Sequence, residues 1–115
     1  MPQTGLHGPY RLDAATIAQV APHPGPGAYA LGSERGGTYY VACIGRSDDD
    51  VAAALKAHVG VYVHFKFRYL DSAHEAFAKE CQLYHDFGPA GLHNAAHPQR
   101  SAGSDWQCPR CDVFG

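Results

Sequence analysis

The sequence predicts an α+β fold, a small three-stranded antiparallel sheet flanked by helices, with a loop-rich C-terminal tail. Three observations predict it. Two glycine-punctuated apolar segments, 27–32 and 38–44, lie on either side of a Gly-containing turn at 33–37. A third segment, 61–70, alternates strictly: Val61, Val63, Phe65, Phe67 and Tyr69 on one face, Tyr62, His64, Lys66 and Arg68 on the other. Two stretches with capping-box spacing, Ser47/Asp50 and Ser72/Glu75, each open an amphipathic run.

In chain order, residues 1–10 carry no clear pattern. Residues 12–21 suit a short helix capped by Asp13, with Ile17, Val20 and Ala21 on one face and Pro22 and Pro24 ending it. It is expected to decorate the core as a lid. The first two strands form a hairpin. A helix over about 48–59 then buries Val51, Leu55 and Val59, and Gly60 stops it. After the third strand, a second helix runs to about residue 86, ended by Gly88 and Pro89. The order is β-β-α-β-α, behind an N-terminal helix. At 115 residues the chain is expected to be one domain (1–115), with a core over 25–98 and a Cys/His-containing tail over 93–115.

Composition bounds the function. The chain is 45% hydrophobic and 17% charged, too apolar for disorder. Nine Lys and Arg against eleven Asp and Glu give a formal net charge of −2, which argues against broad coating of nucleic acid but leaves room for a local basic groove. No apolar run is long enough to span a membrane, so no membrane partner is expected. The N-terminus lacks a basic-then-apolar signal, and four cysteines with one Cys-x-x-Cys fit a reducing compartment, so a cytoplasmic location is expected.

Glu80 is the most telling charged residue. It lies four residues from both Ala76 and Tyr84, on the helix face that packs. A carboxylate there is paired, hydrogen-bonded or metal-bound. Either it sits at the border of the core, snorkelling to water or pairing with Lys66 or Arg68, or it holds a cation. Glu75 has the simpler role of a capping residue. The His64, Lys66, Arg68 face is a candidate nucleic-acid contact.

Gly27-Ala28-Tyr29, then Cys43-Ile44-Gly45-Arg46-Ser47, then Glu75 and Glu80, then Asn94 and His97-Pro98, form an ordered set. In order and spacing, from about Gly27 to His97, this set resembles the GIY-YIG nuclease family. Gly45-Arg46-Ser47-Asp48, Leu55-Lys56-Ala57-His58, Phe65-Lys66-Phe67-Arg68-Tyr69 and Glu75-Ala76-Phe77 add detail to the match. The resemblance implies hydrolysis of phosphodiester bonds, DNA more than RNA, with one Mg2+ or Mn2+. It implies that Tyr29 activates or orients water, that Glu80 holds the metal and that Asn94 supports substrate or fold. Two positions depart from the pattern. Cys43 stands where the second motif has tyrosine, and Ala54 stands where the first helix has an arginine for the scissile phosphate. Arg46 or Arg68 would have to supply that charge.

The tail carries Cys108-Pro109-Arg110-Cys111. Two thiolates with two of His85, His93 and His97 would complete a structural zinc site. The alternative is a pair of free thiols; a redox motif fits less well, because the pair does not open a helix after a strand. Three functions follow: a metal-dependent endonuclease, a catalytically degenerate GIY-YIG-like fold that binds nucleic acid or a protein partner, or a zinc-stabilised structural domain.

Overall fold

The computed structural model describes residues 6–87, 98 and 104–109. Seven elements follow in order: β1 (His7–Arg11), α1 (Ala14–Val20), β2 (Gly27–Arg35), β3 (Thr38–Ser47), α2 (Val51–Lys56), β4 (His64–Tyr69) and α3 (Ala73–Phe87). The architecture is α+β. The sheet has four strands, not three, in the order β1-β4-β2-β3, with every neighbouring pair antiparallel. The added strand comes from the segment that shows no sequence pattern. It is short and interrupted by Gly8-Pro9, which an outer strand tolerates because a proline there removes no interior ladder bond. Its Tyr10 packs on Phe65 and Phe67, with ring centroids 5.5 and 6.3 Å away.

Alternation along the strands sorts the core into two layers. Tyr29, Leu31, Phe65 and Phe67 pack with Ile17, Val51 and Leu55, placing α1 and α2 on one face. Ala30 and Ile44 pack with Leu83 and Tyr84, placing α3 on the other. Ala28 and Ala30 are fully buried, and their small side chains let α3 approach the sheet.

Each helix begins where its cap dictates, with some displacement from the expected bounds. Asp13 accepts from the Thr16 N–H at 2.7 Å, as expected of an N-cap. The helix it starts is part of the core, not a decoration, because Ile17 is fully buried in the main cluster. Ser47 Oγ accepts from the Asp50 N–H at 2.9 Å, but this closes a turn ahead of the helix. Asp50 is the true cap, accepting from the Ala53 N–H at 3.1 Å. So α2 starts three residues later than expected and ends at Lys56. Val59, expected on its inner stripe, instead bridges Tyr62 and is 41% exposed. At Ser72 the cap forms with a displaced return bond: its Oγ accepts from the Glu75 N–H at 3.1 Å, while the Glu75 carboxylate accepts from the Asp71 N–H at 3.1 Å rather than from that of Ser72. The apolar face of α3, with Ala76, Phe77, Cys81 and Tyr84, is buried, and Glu80 is buried with it.

The β2–β3 hairpin turns on Gly36 and Gly37, whose φ values of +56° and +82° favour glycine at both positions. The strand expected over 61–70 starts only at His64, after a turn at Gly60 (φ +88°), and Val61 and Val63 stay exposed. No helix among the described residues is long and apolar enough to cross a membrane.

Gly32 marks the tightest backbone approach in the sheet. It follows a bulge, and a Cβ there would collide with the Tyr40 carbonyl oxygen. Backbone cannot step aside as a side chain can, so Gly32→Ala is expected to cost about 3 kcal/mol. Urea unfolding measures this; an unchanged midpoint would contradict the pairing of Gly32 opposite Val41.

Candidate active site

The outer strand β3 organises the site. Arg46 pairs opposite Ala28 and projects to the α3 face, while Gly45 pairs opposite Tyr29 and faces α1 and α2. From α3, the buried Glu80 meets Arg46: Arg46 Nη1 donates to Glu80 Oε1 at 2.7 Å. Both side chains are largely enclosed, at 12% and 11% exposed. Arg46 Nε also donates to Asp48 Oδ1 at 2.8 Å, and the guanidinium lies 5.1 Å from the Phe77 ring centroid. Burial works against the arginine charge, but hydrogen bonds and charges from Asp48 and Glu80 outweigh it and raise the pKa above its ordinary value. The expected border partners of Glu80, Lys66 and Arg68, are thus not where this ion pair forms. Arg46, Ser47, Asp48, Asp49 and Glu80 line an open cleft of about 540 Å³. Its three carboxylates against one guanidinium leave it acidic.

On the other face of β3, the Tyr29 ring lies across Gly45. A Cβ at Gly45 would collide with the Tyr29 Cζ and Oη, so this close stacking requires glycine. Tyr29 Oη is 3.4 Å from His58 Nε2, and the two rings are tilted with centroids 5.8 Å apart. Burial, then the nearby Cys43 and Glu80, push the Tyr29 phenol up to about 12. Burial likewise raises the Cys43 thiol; a hydrogen bond with Tyr62 lowers it and the Glu80 charge raises it again. Tyr62 in turn lies beside His58, with ring centroids 6.4 Å apart. Tyr29, Cys43, His58 and Tyr62 therefore occupy one side of β3, and Arg46 and Glu80 the other. The field of Glu80 reaches the first group across the strand.

The remaining expected residues fall in three places. Asn94, His93, His97 and Cys111 lie outside the described residues. The basic face of β4 lies on the α3 side and is partly engaged. His64 Nδ1 accepts from the Glu34 N–H at 3.3 Å, and Lys66 Nζ sits 5.0 Å from the Tyr39 ring centroid. Arg68 is exposed, and its charge, after burial, helps depress the pKa of Lys79 on α3. His85 is in the last turn of α3, edge-on to Tyr84 at 5.5 Å. Cys108 is buried with Cys81 and Phe77.

Sequence reasoning missed His58, Tyr62 and Cys81. His58 lies beyond the end of α2, and the alternation read over 61–70 put Tyr62 on the face of His64, Lys66 and Arg68, whereas β4 starts only at His64 and Tyr62 packs with the α1/α2-side core. Cys81 looks like apolar filling in the sequence, although its spacing of four from His85 on one helix is visible there. Among the described residues, no three His, Cys, Asp or Glu side chains converge as a ready metal cage. Glu80 and Asp48, both lining the cleft, are each bonded to Arg46.

The phenol of Tyr29 gives a direct check on this geometry. Its raised pKa means that stability from the protonated phenol is complete below pH 10 and is lost as pH rises towards about 12. Spectrophotometric titration is expected to show several late-ionising tyrosines, because burial also raises the Tyr39 phenol and Tyr62 is raised as well, and Tyr29→Phe is expected to remove one of them. Gly45→Ala, by displacing the ring, is expected to shift that late step back towards the ordinary value. A late-ionising amplitude that is the same in the wild type and in both variants would contradict the burial of Tyr29 over Gly45.

Comparison with protein-family models, with curated proteins and with solved structures finds no match.

Proposed function

We propose that this chain is a GIY-YIG-like, metal-dependent phosphodiesterase acting on DNA, with its chemistry built around the outer strand. The observation that carries this reading is the 2.7 Å contact between Arg46 and Glu80. The family pattern needs a cation at the scissile phosphate, and its usual helix position holds Ala54. Arg46 is the arginine that reaches the proposed metal-binding carboxylate, from a strand position the pattern does not use.

In this mechanism Glu80 is the anionic oxygen ligand, and Asp48 and Asp49 add negative potential at the same cleft. A bound divalent cation would supply Lewis-acid polarisation of the phosphoryl oxygen. Substrate phosphate would draw Arg46 away from Glu80 and onto its own oxygens, where a guanidinium stabilises developing charge. Tyr29, the residue to which the resemblance assigns the attacking water, lies on the opposite side of β3 from this cleft, so a water it orients would have to reach the phosphate past the strand at Gly45. With its pKa near 12, the phenol is protonated at neutral pH, so it needs an acceptor to act as a base. His58 Nε2, 3.4 Å away, is placed to be that acceptor. The exposed Arg68 offers a phosphate contact on the α3 face.

A second reading has specific support. Cys43 and Ala54 remove two groups the chemistry uses, and Glu80 is already neutralised by Arg46. On that reading the fold is a binding module for nucleic acid or a protein. Binding through Lys66 and Arg68 would then weaken steeply with salt.

Cleavage of single-stranded and branched oligonucleotides with magnesium or manganese separates the two. The nuclease reading expects metal-dependent cleavage that drops about 10²–10³-fold in Arg46→Ala, and falls comparably in Glu80→Ala. Retention of fold in these variants is checked by circular dichroism. Cleavage indifferent to both substitutions, or none at high protein concentration, favours the binding module.

A further inference from the structure

The segment over 104–109 and the Arg46–Glu80 pair meet at one side chain. His74, Phe77 and Cys81 stand at i, i+3 and i+7 on α3 and form the seam that receives the segment. Trp106 stacks on His74, with ring centroids 5.0 Å apart and planes 3° from parallel, and its ring lies 5.6 Å from that of Phe77. Cys108 enters a buried cluster with Phe77 and Cys81. On the cleft side, the Arg46 guanidinium carbon is 5.1 Å from the same Phe77 centroid, and its Nη1 donates to Glu80, one turn along α3 from Phe77. Phe77 therefore belongs to the docking seam and to the cleft at once.

That double membership has a mechanical consequence. Phe77 is fully buried, and packing this close transmits a displacement instead of absorbing it. A cation held over an aromatic ring follows the ring's position and tilt. While Trp106 lies against Phe77, it limits how the ring can turn, and the guanidinium meets Glu80 from a fixed platform. Without Trp106 the ring gains room to turn away. Charge also crosses this boundary. The Cys81 thiol, raised chiefly by burial and by its hydrogen bond with Cys108, is raised further by the Glu80 charge and lowered by that of Arg46.

We propose that Trp106 is a positioning residue: docked on His74 and Phe77, it fixes the Phe77 ring and so holds the Arg46 guanidinium on Glu80. Docking of the segment and closure of the ion pair are then linked, and such linkage is reciprocal. Loosening the segment frees Arg46, and drawing Arg46 away loosens the segment. The consequence for catalysis rests on the function proposed above: a docked segment opposes the release of Glu80 to a metal ion. The linkage itself needs no cleavage activity, and its test uses no nucleic acid.

The test uses the full chain, with circular dichroism confirming the fold of each variant. A guanidinium held in an ion pair gives resolved, slowly exchanging Nη–H signals by NMR, and those of Arg46 are assigned by their absence in Arg46→Lys. Trp106→Ala is expected to broaden or abolish them, and Trp106→Phe, which keeps a ring on His74, to restore them. In the reverse direction, Cys108 is only 5% exposed, so its rate of labelling by a thiol reagent, located by peptide mapping, follows the undocked fraction. Arg46→Lys keeps the charge but loses the planar fork, and is expected to raise that rate about fivefold, the low end of ordinary coupling between sites. Ile17→Val weakens the core on the other face of the sheet and is expected to move neither readout. Arg46 signals unchanged in Trp106→Ala, Cys108 labelling unchanged in Arg46→Lys, or both effects reproduced by Ile17→Val would each overturn the proposal.

Discussion

A carboxylate and a guanidinium enclosed between α3 and the outer strand are the constraint on which the rest of the site depends. Enclosing two charges costs several kcal/mol each in lost hydration, which only close contact and additional hydrogen bonds offset. Arg46 meets that demand with Glu80 on one side, Asp48 on the other and the Phe77 ring below. Removing either partner would leave the other desolvated and uncompensated, so the pair fixes how α3 lies against β3. It also keeps a strong anion in a place where purely apolar packing would have been easier. Natural sequences accept such a cost where chemistry or recognition uses the group.

The strand between the two halves of the site is thin where it needs to be. Gly45 has no side chain, so the Tyr29 ring can lie flat across it, and the field of Glu80 is felt on the far side. Any larger residue would separate the phenol from the strand and break its approach to His58. The short loop from Ser47 to Asp50 does a related job on the near side. Its turn hydrogen bonds hold Asp48 and Asp49 at the mouth of the cleft before α2 begins.

Much of this is legible in the sequence, for identifiable reasons. Alternation marks β4, glycines mark the hairpin, and spacing along α3 places Glu80 on the buried face. Asp13 and Ser72 announce their helices because a side-chain oxygen at an N-cap is a local interaction. What is not legible is tertiary. The outer strand β1 has no internal pattern, and only pairing with β4 makes it a strand. The start of α2 is ambiguous because Ser47 and Asp50 both carry capping oxygens, and sequence cannot say which one closes the turn and which starts the helix. For the partner of Glu80, sequence points to β4, whose basic face looks obvious. The partner comes instead from β3, because antiparallel register sets Arg46 against Ala28, where the small neighbour leaves room beneath α3. Cys81 beside Cys108 depends on how a distant segment docks, which no local spacing reports.

In the proposed chemistry, Glu80 trades Arg46 for a divalent cation when a phosphate arrives. A crystal structure with manganese and a short oligonucleotide, read through the anomalous signal of the metal, would show that exchange or its absence. Manganese is expected on the Glu80 carboxylate, with Arg46 turned onto a phosphate oxygen beside it. Manganese elsewhere, with the Arg46–Glu80 contact intact in the presence of bound oligonucleotide, would contradict it.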